Sequence, residues 1–360
     1  MPSLHLCVPR KMRSDPERDV LVALVQKNYP ISKDMWRSFW DRLRNRTLRP
    51  GEAAALVASL STQTPDATSV NALLASLRQS DQQQSHRVSG TVNVVGTGGG
   101  PATFNLSTAA AFVAATVGAR VIKTGSRAYT SRCGSIDLLE RLGVPLSTSY
   151  AQTEMMVASF GIAFAGNFVY PKELRLLAKS ILPFDMRTLG RFFNLFGPFL
   201  AHVPVSAQLT GVSDPALLPT FRHLAAQSSQ RFLICSNSIG VDELVSFEVN
   251  VVHDSGDDHD IHVAPVTLGL GAGSLADLRP AAEKASIVNH FLGLLSGNGP
   301  RAAIESIQLN AAALAIACGV ANEWPQALQA ARESMEDGLP LRLIERLCGQ
   351  QILAQSGVRR

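Results

Sequence analysis

The sequence predicts an α/β protein, with a small all-helical N-terminal domain and a larger α/β domain built on a mainly parallel sheet. Three observations predict this. Apolar residues recur at helical spacing from about Pro16 to Arg78. From Thr91 the rhythm changes to short apolar runs alternating with Ala- and Leu-rich helical segments, as in βαβ units. Glycine-rich loops then fall where a strand hands over to a helix.

Residues 1–15 read as a loose basic arm, followed by a helical domain over 16–85. Its helices are "DVLVALVQ", "MWRSFWDRL", "GEAAALVASLS" and "SVNALLASLR", punctuated at Pro50-Gly51 and Thr64-Pro65. The polar "QSDQQQSHRVSG" is a linker into the α/β domain, placed at 91–170 and 201–360. There "TVNVV" is a strand, "STAAAFVAATVG" a helix closed by Gly118, and "ARVIKTG" a second strand. "SRAYTSRCGS" opens the helix "IDLLERLG"; "FGIAFAG", the helical "PKELRLLAKSIL" and "RFLICS" follow. "FEVNVVHD" and "HDIHVAPV" form a hairpin, and the C-terminal part is helical again.

Composition bounds the function. Of 360 residues 46% are hydrophobic and 17% charged, enough for a sizeable core and too apolar for wholesale disorder. The net charge of +4 suits an anionic substrate and is too weak to indicate nucleic acid. Five cysteines, odd in number and without a Cys-x-x-Cys pair, read as reduced thiols of a cytoplasmic protein. The N-terminus lacks the apolar segment of a signal peptide, and no apolar run reaches the roughly 18 residues of a membrane span.

The chemistry centres on residues 94–110, "VVGTGGGPATFNLSTAA". Gly96, Gly98, Gly99 and Gly100 around Thr97 let backbone N–H groups approach an anion without Cβ interference. The following helix starts near Asn105, Leu106, Ser107 and Thr108, where free N–H groups, the dipole and two hydroxyls favour phosphate. Taken alone, the stretch is equally an ordinary tight βα turn with a Ser or Thr cap. A second donor-rich loop follows the next strand: Lys123, Gly125, Ser126, Arg127, Thr130, Ser131, Arg132, Gly134 and Ser135. Ligands of parallel sheets gather beyond the carboxyl ends of strands, so two such loops in succession imply a ligand with two phosphate groups.

Asp242-Glu243 is an adjacent carboxylate pair after the "FLIC" strand. Hard oxygens beside a polyphosphate suit Mg²⁺; an isolated Asp-Glu pair reads as a solvated turn. His253, His259 and His262 among four aspartates of "VHDSGDDHDIH" could form a transition-metal site, but the preferred reading is an exposed hairpin turn with solvated charges. Cys133 has no flanking histidine to make it a nucleophile.

With these residues in view, the chain resembles the anthranilate phosphoribosyltransferase family, of the class III phosphoribosyltransferase fold, from about residue 20 to 350. The resemblance rests on "GTGG" at 96–99, "TFNLST" at 103–108, "K-x-G-x-R" at 123–127 with the "S-x-x-GS-x-D-x-LE-x-LG" that follows, "FNLFGP" at 193–198, "DE" at 242–243, "LNAAALAIA" and "ARESMEDG". It implies phosphoribosyl pyrophosphate and Mg²⁺ as ligands, a small aromatic amine as acceptor, and a homodimer through the helical part. A segment at 171–200 is implied to return to that part. By carry-over, Gly96, Thr97, Gly98, Gly99, Asn105, Ser107, Thr108, Lys123 and Ser135 hold the diphosphate and 5-phosphate. Asp242 and Glu243, with Ser107, hold magnesium. Thr103, Gly125, Arg127 and Ser131 complete the substrate loops, and Lys123, Asp242 and Glu243 carry the catalysis.

The departures lie mainly on the acceptor side. Gly100 stands where the family has Asp, in a loop one residue shorter. Thr124 and Ser126 replace a His and an Asn that line the acceptor. In "LPFDMRTLG", Asp185 falls at the place of the family's carboxylate-anchoring Arg, where it would repel a carboxylate, or, with a shift in alignment, Arg187 takes that role. The expected function is phosphoribosyl transfer to anthranilate or an anthranilate-like amine. Two alternatives stand beside it: a nucleoside phosphorylase-like enzyme, and a retired paralogue binding nucleic acid or a partner through a basic cleft.

Overall fold

The computed structural model describes residues 19–78, 88–125, 133–271 and 273–356. The basic arm, most of the polar linker and residues 126–132 lie outside them. The chain divides into two compact units, one of residues 19–78 with 175–190 and one of 88–174 with 191–356.

The helical unit forms because its helices carry apolar stripes, and three of them carry side-chain caps. Asp19, Ser32 and Asp66 accept from the first turns of Val20–Gln26, Lys33–Arg44 and Ala67–Leu77. Trp36, Phe39, Trp40 and Leu43 recur at helical spacing and are all buried. The two indoles also find polar partners: Trp36 Nε1 donates to the Ser69 carbonyl at 3.2 Å and Trp40 Nε1 to Ser76 Oγ at 2.8 Å. Within the same unit, the Ser61 hydroxyl donates to the Leu189 carbonyl, tying 175–190 to the helix Glu52–Thr62.

The α/β unit is a seven-stranded sheet in the order β3-β2-β1-β4-β5-β6-β7. The strands are β1 (Val88–Gly96), β2 (Arg120–Lys123), β3 (Ile162–Phe164), β4 (Val205–Gly211), β5 (Arg231–Asn237), β6 (Asn250–Asp254) and β7 (His259–Val263). The first five run parallel, and the hairpin β6–β7 joins them antiparallel. The predicted α/β class with a mainly parallel sheet is the observed one.

Residues 91–94 are buried on both faces of β1, as a strand with helices above and below requires. On one face the Ala-rich helix Leu106–Thr116 packs against the helix Arg301–Ala317; both are apolar nearly all round and buried accordingly. The strand order reverses between β1 and β4, because the chain first winds to β3 and then returns to β4. A crevice at the carboxyl ends of β1 and β4 follows from that reversal. Gly96 and Gly211 are register partners at those two ends.

Candidate active site at the switch point

The loop after β1 turns because Gly98 and Gly99 adopt φ of +65° and +83°, a backbone region that side chains rarely tolerate. It is pinned from two sides. Ser213 Oγ, beyond β4, donates to the Gly98 carbonyl at 2.6 Å, while Ser213 N–H donates to Thr97 Oγ1 at 3.2 Å. From the loop after β5, Asp242 Oδ2 accepts from the Gly98 N–H at 2.7 Å. Asp242 reaches this position only because both strands end in glycine. A Cβ on Gly96 would lie 2.0 Å from Asp242 Oδ2, and one on Gly211 would lie 1.6 Å from the Asp242 carbonyl oxygen.

Glu243 faces the start of the helix Leu106–Thr116. It accepts from Thr103 Oγ1 at 3.2 Å and from the Ser107 N–H. The two carboxylates thus sit on backbone and hydroxyl donors of the kind that bind phosphate. Thr108 stands one residue on, fully buried, its hydroxyl without a hydrogen-bond partner. Asn105 occupies the N-cap position but makes no cap bond; its Nδ2 donates to the Cys133 carbonyl at 3.4 Å and so ties the two loops together.

Lys123 ends β2 and is buried. Its Nζ donates to the Val94 carbonyl at 3.1 Å and to Ser107 Oγ at 3.3 Å. Burial pulls its ammonium down to about 8, against the upward pull of Glu243 and Asp242. Burial also pushes Glu243 up to about 8, helped by the charge of Asp242 and opposed by Thr103, Lys123 and Ser107. Asp242 is raised by burial too, in spite of the Gly98 N–H and Lys123. Ionising both buried carboxylates against one ammonium is costly without a further cation, which is why burial raises them. The donor set fits Mg²⁺: Asp242, Glu243 and the hydroxyls of Thr103 and Ser107 are hard oxygens.

Gly125 and Ser135 meet so closely that a Cβ at 125 would lie 2.1 Å from Ser135 Oγ. Ser126, Arg127 and Ser131 lie outside the described residues. Thr124 is 1% exposed, and its hydroxyl is turned into the sheet toward Asn93. Asp185, expected at the acceptor, caps the short helix Met186–Leu189 in the helical unit. It accepts from the Thr188 N–H at 2.8 Å and the Thr188 hydroxyl at 2.9 Å. Arg187 lies in that helix, its side chain outside the described residues.

The hairpin corrects one expectation. Its turn and the side chains of His259 and His262 are exposed, but His253 and Asp254 are buried and paired rather than solvated. Arg231 clamps Asp254, and Asp260 accepts from Arg222 at 2.9 Å while lying 2.9 Å from His253 Nδ1. Among the described residues no three His, Cys, Asp or Glu side chains form a metal cluster. Sequence reasoning missed Ser213, whose position two residues past the strand-ending Gly211 was the available signal. It also missed His290, which lines a depression beside Thr103, Asn105 and Cys133.

Comparison with known proteins agrees with this geometry. Residues 89–341 match the family described as glycosyl transferase family, a/b domain. An anthranilate phosphoribosyltransferase of Roseiflexus sp. (strain RS-1) is 31% identical over 92% of this chain and 97% of its own length. Anthranilate phosphoribosyltransferase 2 of Ralstonia nicotianae is 35% identical over 71% of this chain and 74% of its own. The crystal structure of anthranilate phosphoribosyltransferase from Thermus thermophilus superposes with a TM-score of 0.78 at 27% identity, covering 92% of this chain and 99% of that one. The Saccharomyces cerevisiae enzyme in complex with PRPP and Mg shares the fold, with a TM-score of 0.72 at 21% identity over 92% and 96% of the two chains. The chain belongs to the anthranilate phosphoribosyltransferase family.

Proposed function

We propose that this chain transfers the 5-phosphoribosyl group of phosphoribosyl pyrophosphate to an aromatic amine, anthranilate or an anthranilate-like acceptor, and releases diphosphate. The observation that carries the reading is the convergence of Lys123, the Asp242-Glu243 pair and the 96–100 loop at the ends of β1, β2 and β4. The diphosphate takes the N–H groups of the glycine loop and the hydroxyls at Ser107 and Thr108. Ser135 and the loop before it take the 5-phosphate. Asp242 and Glu243, with Ser107, would hold magnesium, which would supply positive charge to the diphosphate.

Displacement at the anomeric carbon develops charge on the leaving diphosphate. In this reading the Lys123 ammonium and the N–H groups of Gly99 and Gly100 meet that charge, and preorganised electrostatics of this kind is the largest catalytic contribution in many enzymes. A neutral aromatic amine is itself the nucleophile, so the site needs positioning rather than a strong base. Arg187 is the candidate anchor for an acceptor carboxylate. The reading places the protein in the cytoplasm as a homodimer; among the described residues no helix is long and apolar enough to cross a membrane.

The test is diphosphate release from phosphoribosyl pyrophosphate with Mg²⁺ and a panel of aromatic amines and amino acids. Lys123→Ala and Asp242→Asn are each expected to lower turnover more than tenfold. Near-native rates in both would refute the site. Arg187→Ala should raise KM for a carboxylate-bearing acceptor and leave that for phosphoribosyl pyrophosphate unchanged.

A further inference from the structure

Beneath the site a chain of buried amides crosses three strands, and none of its members has a role in the transfer described above. Asn93, in the middle of β1, is fully buried and is the register partner of Gln208 on β4. Its amide reaches both ways. Nδ2 donates to Gln208 Oε1 at 2.9 Å, and Oδ1 accepts from the backbone N–H of Thr124 at 3.0 Å. The Thr124 hydroxyl lies 3.1 Å from the same Nδ2.

The direction of this chain is set at its far end. Gln208 Nε2 donates to the Pro198 carbonyl and to Thr210 Oγ1, both at 2.9 Å. An amide nitrogen committed to a carbonyl must present its oxygen to Asn93. Asn93 must then present its nitrogen to Gln208 and its oxygen to Thr124. Both amides are satisfied at nitrogen and at oxygen, so exchanging the two ends of either would break bonds at each of its neighbours.

Its position gives it a consequence for chemistry. The β1–β2 ladder registers Thr91 with Arg120 and Val92 with Val121. Beyond that point the Asn93 side chain ties β1 to Thr124, the residue after Lys123, beside the bond from Lys123 Nζ to the Val94 carbonyl, while on the other side the end of β3 holds the Lys123 backbone through the Ala165 N–H. We propose that Asn93 is a positioning residue for the transfer step, fixing the end of β2 through Thr124 so that the Lys123 ammonium stays aimed between Val94 and Ser107. This rests on the phosphoribosyl-transfer reading.

A merely structural residue would cost the same whether or not Lys123 is present; a residue that acts through Lys123 would not. The experiment is a kinetic cycle on the full chain with phosphoribosyl pyrophosphate, Mg²⁺ and the best amine of the panel. Asn93→Ala is expected to lower kcat/KM about tenfold in the native background and less than about twofold beside Lys123→Ala. Equal losses in both backgrounds, or none in the first, overturn the proposal. Should Asn93→Ala fail to fold, Thr124→Val decides. It should lose about threefold or more, with Thr124→Ser restoring activity to within about twofold; a Thr124→Val variant as active as the native chain overturns the proposal. A native chain that releases no diphosphate with any amine sinks the transfer reading instead. The same variants are then compared by calorimetry with Mg²⁺ and inorganic diphosphate, where Asn93→Ala must weaken affinity in the native background and not beside Lys123→Ala.

Discussion

Gly100 is a substitution relative to the family pattern that the packing explains. A Cβ there would lie 2.2 Å from the Gly240 carbonyl oxygen and 2.9 Å from the Ser213 Cβ. The shortened loop has closed onto the turn after β5, and restoring the family's carboxylate at this position would push the two apart. Gly100→Asp is therefore expected to weaken binding of phosphoribosyl pyrophosphate in calorimetry. Its melting temperature should fall as well, because the nearest atom is backbone and one of the two turns must shift. Tighter binding by the variant would show that the loop has room after all. Gly96 and Gly211 are less forgiving still, since the atom each would strike belongs to Asp242 itself.

The hairpin β6–β7 shows what an element adds to its residues. Burial alone would raise the Asp254 carboxyl, but Arg231 and the Gly256 N–H outweigh it and hold it below the usual carboxylate range. A carboxylate held low in the folded state stabilises the protein above its unfolded value near 4, and that stability is lost as pH falls through the folded value. Arg231→Leu should cost about 1–3 kcal/mol at pH 7, at the low end because Arg231 is 38% exposed. The gap between native and variant melting temperatures should close as the pH falls below the usual carboxylate range and Asp254 takes up its proton; a gap that persists there would assign the loss to packing instead.

This pairing was not legible in the sequence. His253, Asp254 and Asp260 stand in an alternating polar stretch that reads as a solvated turn, and their partners Arg222 and Arg231 lie on other elements. The βαβ core was legible, because each strand-to-helix handover is marked by glycine and each helix by its apolar period. At the site, Lys123 and the Asp242-Glu243 pair stood out as charges at apolar strand ends. Asn93 and Ser213 did not. An Asn within a strand and a Ser after a Gly carry no periodic signal, and their meaning comes only from strand register and loop packing.

At the scale of the molecule, the resemblance implies a homodimer through the helical part, and the helical unit has features that support it. With fewer than ~100 residues it has a limited core of its own, and small units are only marginally stable alone. It nevertheless leaves Val25, Leu182 and Phe184 exposed at 69%, 70% and 54%. Scattered apolar side chains need no partner, but these are large and belong to the smaller unit. Burying an aromatic side chain against a second copy yields about 1.5–3 kcal/mol, and replacing it with a charge reverses that gain. Light scattering should give twice the 38.5 kDa chain mass for the native protein and a concentration-dependent fall toward the single-chain mass for Phe184→Asp. The α/β unit has its own core, so the variant should keep its affinity for phosphoribosyl pyrophosphate while losing the dimer. A native protein that scatters as one chain at micromolar concentration would remove the dimer from the proposal and leave the phosphoribosyl site untouched.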